Sequence, residues 1–113
     1  MKNQNVKPAE GKLGILVVGL GAVTSTFMTG VLMARKGLSK PVGSMTQYDK
    51  IRVGKGADKK YLPYSEIVPM AKLDDIVFGA WDVYPADAYR SAMYCEVLKE
   101  KDINPVKDEL EKI

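Results

Sequence analysis

Histidine is absent from this chain, and cysteine occurs once, at Cys95. Without histidine there is no imidazole general base and no nucleophilic triad built on one. With a single cysteine there is no disulfide within the chain and nothing from which to build a zinc cluster. Proton transfer is left to Lys, Asp, Glu, Tyr or water. No apolar run reaches the ~18 residues that cross a bilayer. The polar start, residues 1–12, has no signal-peptide core, so a cytoplasmic protein is expected. No charge sign dominates either. The 17 Lys and Arg against 14 Asp and Glu leave +3, spread along the sequence, which predicts no nucleic-acid and no membrane partner. The 113 residues give room for one small domain and not for a complete two-domain dehydrogenase.

What is present is concentrated near the start. Leu13 to Val18 is an apolar stretch, followed by Gly19-Leu20-Gly21 and then Ala22-Val23-Thr24-Ser25-Thr26. This reads as a buried strand, a glycine turn and a helix start, the arrangement that holds a dinucleotide pyrophosphate. The run Ile15–Val18 does not alternate, which suits a parallel strand covered on both faces. Gly19 can take the tight turn. Gly21 has no side chain to keep a phosphate from the backbone. Thr24, Ser25 and Thr26 offer capping hydroxyls and free N–H groups at the positive end of a helix. The usual third glycine is Thr24, so the pattern is incomplete, and a plain strand-to-helix turn is the competing reading. A P-loop does not fit, because no Gly-Lys-Ser/Thr follows the glycines.

Further along, residues 1–12 read as a flexible lead-in and residues 13–113 as one domain. The first helix is expected over about 24–36, with Phe27, Met28, Val31 and Leu32 on its apolar face and a stop at Gly37. Residues 38–74 show no clear second strand or helix, apart from a short strand near Tyr48–Val53 with Ile51 and Val53 on one face. Gly54 to Lys60 reads as a polar tip, and the whole span as a long irregular insertion. Ile76–Phe78 is again a buried-type strand. A helix is expected from about 86 to 101, with Ala88, Ala92, Cys95 and Leu98 on one face and Cys95 a small, unreactive core residue. Asn104-Pro105 opens a last helix with an apolar stripe of Val106, Leu110 and Ile113. That helix is still periodic at its last residue, so the chain is expected to continue.

Two strands ending at Gly19 and Gly79 would share a crevice if they lie parallel in one sheet. Asp82 would then stand near the nucleotide, as an acceptor for a hydroxyl or as a cap of its own turn. Trp81 reads as wall or core. Asp49 is a weaker candidate for the ribose-binding acid, on a poorly defined strand. The predicted class is α/β: a partial Rossmann-like nucleotide-binding domain with a parallel sheet and flanking helices.

Several blocks together resemble the N-terminal part of the inositol-3-phosphate (myo-inositol-1-phosphate) synthase family. They are Val18 to Thr26, Gly43-Ser44-Met45-Thr46-Gln47, Ile51-Arg52-Val53-Gly54, and Leu73 to Val83 with its Gly79-Ala80-Trp81-Asp82-Val83. The last block is the most specific. The resemblance spans Leu13 to Leu98. It implies NAD as cofactor, contacts from Gly19, Gly21, Ala22, Val23, Thr24 and Asp82, and a homo-oligomer, a tetramer by family likeness. It implies conversion of D-glucose 6-phosphate to 1D-myo-inositol 3-phosphate by oxidation, aldol cyclisation and reduction. Where eukaryotic members carry Gly-Gly-Asn-Asn, this chain has Gly21-Ala22-Val23-Thr24, as in bacterial members, so backbone contacts must stand in for the Asn side chains. The family's catalytic lysines have no counterpart in these residues, so no catalytic residue and no metal ligand is expected here. Two other readings stay open: another NAD-dependent oxidoreductase, of homoserine-dehydrogenase type, and a non-catalytic nucleotide-binding module.

Overall fold

The computed structural model describes residues 5, 7, 8 and 10–113. The expected lead-in over residues 1–12 lies partly outside the described residues. Its described members are exposed and belong to no helix or strand. The order of elements is β1 (Leu13–Val18), α1 (Ala22–Arg35), α2 (Met45–Tyr48), β2 (Lys50–Val53), β3 (Lys60–Pro63), β4 (Ile76–Trp81), α3 (Ala88–Cys95), α4 (Glu100–Ile103) and α5 (Lys107–Leu110).

β1 and β4 are parallel, in register from Leu13 opposite Ile76 to Val18 opposite Trp81. The expected parallel pair is therefore present. α1 begins two residues before the expected Thr24. It ends as expected: the Gly37 N–H donates to Ala34 at 3.0 Å, with Gly37 at φ +67°, a left-handed stop that glycine adopts freely. Met28 and Leu32 drop from α1 into the core beside Ala88, Ala92, Ile103, Val106 and Leu110. Full burial of an apolar side chain of this size is worth roughly 1.5–3 kcal/mol. Val17, Phe78 and Ala80 of the sheet pack on this cluster. Phe27 meets Phe78 edge-on at 5.6 Å between ring centroids. Arg35 clamps the far end: its Nε donates to the Leu73 carbonyl at 2.6 Å, a second guanidinium N–H donates to the Ile76 carbonyl, and the guanidinium lies over the Phe78 ring.

Three expectations need correction. The β1 strand is covered on one face. Ile15 and Val17 turn to the helices, while Leu16 and Val18 are 72% and 86% exposed, joined by Val77 and Trp81 of β4. The non-alternating run follows from an apolar second face, and Trp81 is neither core nor wall. The helix expected over 86–101 ends at Cys95, because Glu96 adopts φ 54°. The apolar period carries on across this break, which hides it from sequence. The turn brings Ile103, Val106 and Leu110, all fully buried, back onto α1. Burying those three side chains outweighs a continuous helix. Residues 38–74 are more ordered than expected: β2 and β3 form an antiparallel hairpin, Lys50 opposite Pro63, in a sheet of its own. β3 was illegible because Lys60-Tyr61-Leu62-Pro63 is short, does not alternate, and closes on a proline, which is confined to strand edges.

Candidate functional site: the glycine turn and the carboxyl ends of the parallel strands

Both parallel strands end at the same edge of the sheet. There the Gly19 N–H donates to the Trp81 carbonyl at 2.7 Å, carrying the ladder one residue past β1. Gly19 then turns at φ +98°, a conformation that side-chain-bearing residues avoid. Leu20 sends its side chain into the core at 6% exposure. Gly21 is the N-cap of α1.

The N-terminal end of α1 has no side-chain cap and no acidic residue in its first turn. The N–H groups of its first residues therefore point out without a capping side chain, at the positive end of a fourteen-residue helix. A Cβ built at Gly21 meets nothing within 4 Å, so the space in front of the turn is open. Both observations fit an anion such as a pyrophosphate. The hydroxyls behave otherwise than expected. Ser25 is fully buried, and its Oγ donates to the Gly21 carbonyl at 2.8 Å. It braces the turn from behind and caps nothing. Thr24 is half-buried in the first turn, with Ala22 and Val23 exposed beside it.

Asp82 joins the two strand ends. Its Oδ2 accepts the Leu20 N–H at 2.7 Å, and its Oδ1 accepts the Tyr84 N–H at 3.0 Å. The Tyr84 N–H and then the Leu20 N–H hold the carboxyl below the usual carboxylate range, against a smaller opposing effect of desolvation. Asp82 is thus both a cap of its own turn and a strap across to the glycine turn. Each carboxylate oxygen keeps a further lone pair for an outside donor.

A cleft of about 620 Å³ opens at this edge, lined by Leu20, Gly21 and Asp82 on one side and by Tyr84, Arg90, Ser91, Tyr94 and Cys95 on the other. The α3 side of this wall was not foreseen. Part of the signal was available: with Ala88 and Ala92 turned to the core, Ser91 and Tyr94 at helical spacing fall to one side of that face. Asp87 caps α3 by accepting the Arg90 N–H at 2.8 Å, so the helix begins at Ala88, two residues after the expected start. Cys95 is half-buried on the cleft wall and not a core residue. Asp49 sits beside the separate hairpin sheet, at the end of α2, and does not line the cleft. Among the described residues no cluster of three His, Cys, Asp or Glu is placed to hold a metal ion, and no helix is long and apolar enough to cross a membrane.

The model of an NAD-binding family described as myo-inositol-1-phosphate synthase matches residues 13–113. The chain belongs to this family. It is 54% identical over 111 residues to inositol-3-phosphate synthase 1 of Bacteroides thetaiotaomicron, covering 97% of this chain and 25% of that one. It is 35% identical over 109 residues to inositol-3-phosphate synthase isozyme 1 of Arabidopsis thaliana, covering 83% and 21%. The crystal structure of inositol-3-phosphate synthase from Caenorhabditis elegans superposes with a TM-score of 0.75 at 24% identity, over 95% of this chain and 23% of that one, a likeness of fold. The chain spans about a quarter of the length of the relatives it matches. The α/β class and the NAD-binding domain expected from the sequence are both borne out by this membership, which sets aside an oxidoreductase of homoserine-dehydrogenase type.

Proposed function

We propose that this chain is the N-terminal NAD-binding portion of a longer inositol-3-phosphate synthase, which converts D-glucose 6-phosphate to 1D-myo-inositol 3-phosphate. In this reading residues 1–12 are a lead-in and residues 13–113 the first part of the cofactor domain. The observation that carries it is the uncapped N-terminal end of α1 behind an open glycine turn, beside a carboxylate just past the end of the neighbouring parallel strand. Gly19 and Gly21 let the pyrophosphate approach. Ala22, Val23 and Thr24 present backbone N–H groups to it, and Asp82 faces the cofactor from the β4 end. NAD, when bound, supplies the hydride acceptor and donor of the reaction. The residues that clamp the sugar phosphate and move protons belong to the longer enzyme, which works in the cytoplasm as a homo-oligomer, a tetramer by family likeness.

The test is Gly21→Val in that longer enzyme. Gly21 has φ −92° and an open Cβ direction, so valine fits the fold and obstructs only a ligand. The melting temperature is expected to hold while NAD affinity falls roughly tenfold or more, about 1.4 kcal/mol or above. An unchanged affinity in a calorimetric titration would remove the pyrophosphate from this turn.

A further inference from the structure

We infer that Asp82 is a positioning residue: it straps the Gly19-Leu20-Gly21 turn to the end of β4, and its effect on cofactor affinity comes through that turn. The inference rests on the reading of this edge as the cofactor site and names how one residue of it works.

The turn is held at three points. Gly19 is bonded to the Trp81 carbonyl at 2.7 Å, Leu20 to Asp82 Oδ2 at 2.7 Å, and the Gly21 carbonyl takes both the Ser25 N–H at 3.0 Å and the Ser25 hydroxyl at 2.8 Å. The first and third of these belong to β1 and α1, which end and begin there in any case. The middle bond reaches 62 residues across in sequence, as the ladder bond from Gly19 does, and it alone is accepted by a side chain of another segment. It is also the charge-assisted one, and such bonds are roughly twice as strong as neutral ones. Asp82 is itself oriented by the Tyr84 N–H on its other oxygen. Its rotamer is therefore fixed by its own turn before any ligand arrives. Leu20 has its side chain buried and its N–H satisfied, so the backbone between Gly19 and Gly21 has little freedom left. A turn held ready avoids the ordering cost that a ligand would otherwise meet on binding.

A direct contact and a strap differ in what they depend on. A ribose contact is lost when the ribose hydroxyls are removed, and a strap is not. The experiment titrates NAD, and its analogue lacking the adenosine 2′ and 3′ hydroxyls, into the longer enzyme and its Asp82→Ala variant. Hydrogen exchange of the Leu20 amide is followed without cofactor. The strap predicts that Asp82→Ala weakens both ligands by the same factor, about ten- to a hundredfold. It also predicts faster exchange at Leu20 while amides in the middle of α1 stay protected, which a general loss of stability would not give. Asp82→Asn keeps one acceptor oxygen and carries the same test, with a smaller but equal loss for the two ligands, should the alanine variant fold poorly. A loss confined to NAD makes Asp82 a ribose ligand and overturns the strap. So does unaltered exchange at Leu20 in the alanine variant. Failure of the unmutated enzyme to bind either ligand would instead remove the cofactor reading itself.

Discussion

The two glycines of the turn do different jobs, and substitution separates them. Gly19 sits at φ +98°, whereas Gly21 sits at φ −92° with open space along its Cβ direction. Gly19→Ala is therefore expected to cost about 1–2 kcal/mol of folding stability, and Gly21→Ala well under that. Urea unfolding of the two variants side by side checks this. Equal losses would mean that the turn is not held as described. From sequence, both glycines and Asp82 could be singled out, because strand–glycine–helix order and the Trp81-Asp82 block are local patterns. The partner of Asp82 could not. Its bond to Leu20 depends on strand register, and nothing near residue 82 encodes which N–H lies opposite. Ser25 misled for a similar reason: a serine in a first helical turn can cap, but a buried hydroxyl takes the nearest carbonyl.

At the scale of elements, the C-terminal helices are docked on α1 by apolar burial and by one ion pair. Glu109 Oε1 lies 2.7 Å from Lys36 Nζ, which also donates to the Pro105 carbonyl at 2.8 Å. The hydrogen bond from Lys36 is the main reason the Glu109 carboxyl titrates below its usual value. A depressed pKa adds stability that is present above the unfolded value, about 4.3 for glutamate, and is lost as pH falls through the lower folded value. Glu109→Gln is thus expected to lower stability at pH 7 by up to about 1 kcal/mol, since the pair is half-exposed, and to match the unmutated chain in acid. Urea unfolding across pH reads this directly, and a deficit that persisted in acid would locate it elsewhere. Three elements were legible: β1 and β4 as apolar runs, and α1 by its helical period. The break at Glu96 and the strand β3 were not. In both places tertiary contacts, and not local preference, set the backbone.

At the scale of the whole molecule, one face of the parallel sheet packs on the core built by α1 and the C-terminal helices. The other shows Leu16, Val18, Val77 and Trp81 to water. The hairpin of β2 and β3 stands as a separate sheet. The radius of gyration, 17.1 Å, exceeds the about 13 Å of a compact domain of this length. A dinucleotide needs a crevice with two sides, and the glycine turn with Asp82 forms one. The proposed function puts the lysines that act in the reaction outside these residues. Those present on the tip of the hairpin are exposed. In the proposed function, chemistry on glucose 6-phosphate comes from the longer enzyme, with this segment supplying part of the cofactor site. The direct test is an inositol phosphate assay with glucose 6-phosphate and NAD, run on the 113-residue chain and on the longer enzyme that carries it. Product from the longer enzyme and none from the chain by itself is the expected result. Product from the chain by itself, or none from the longer enzyme, would contradict it.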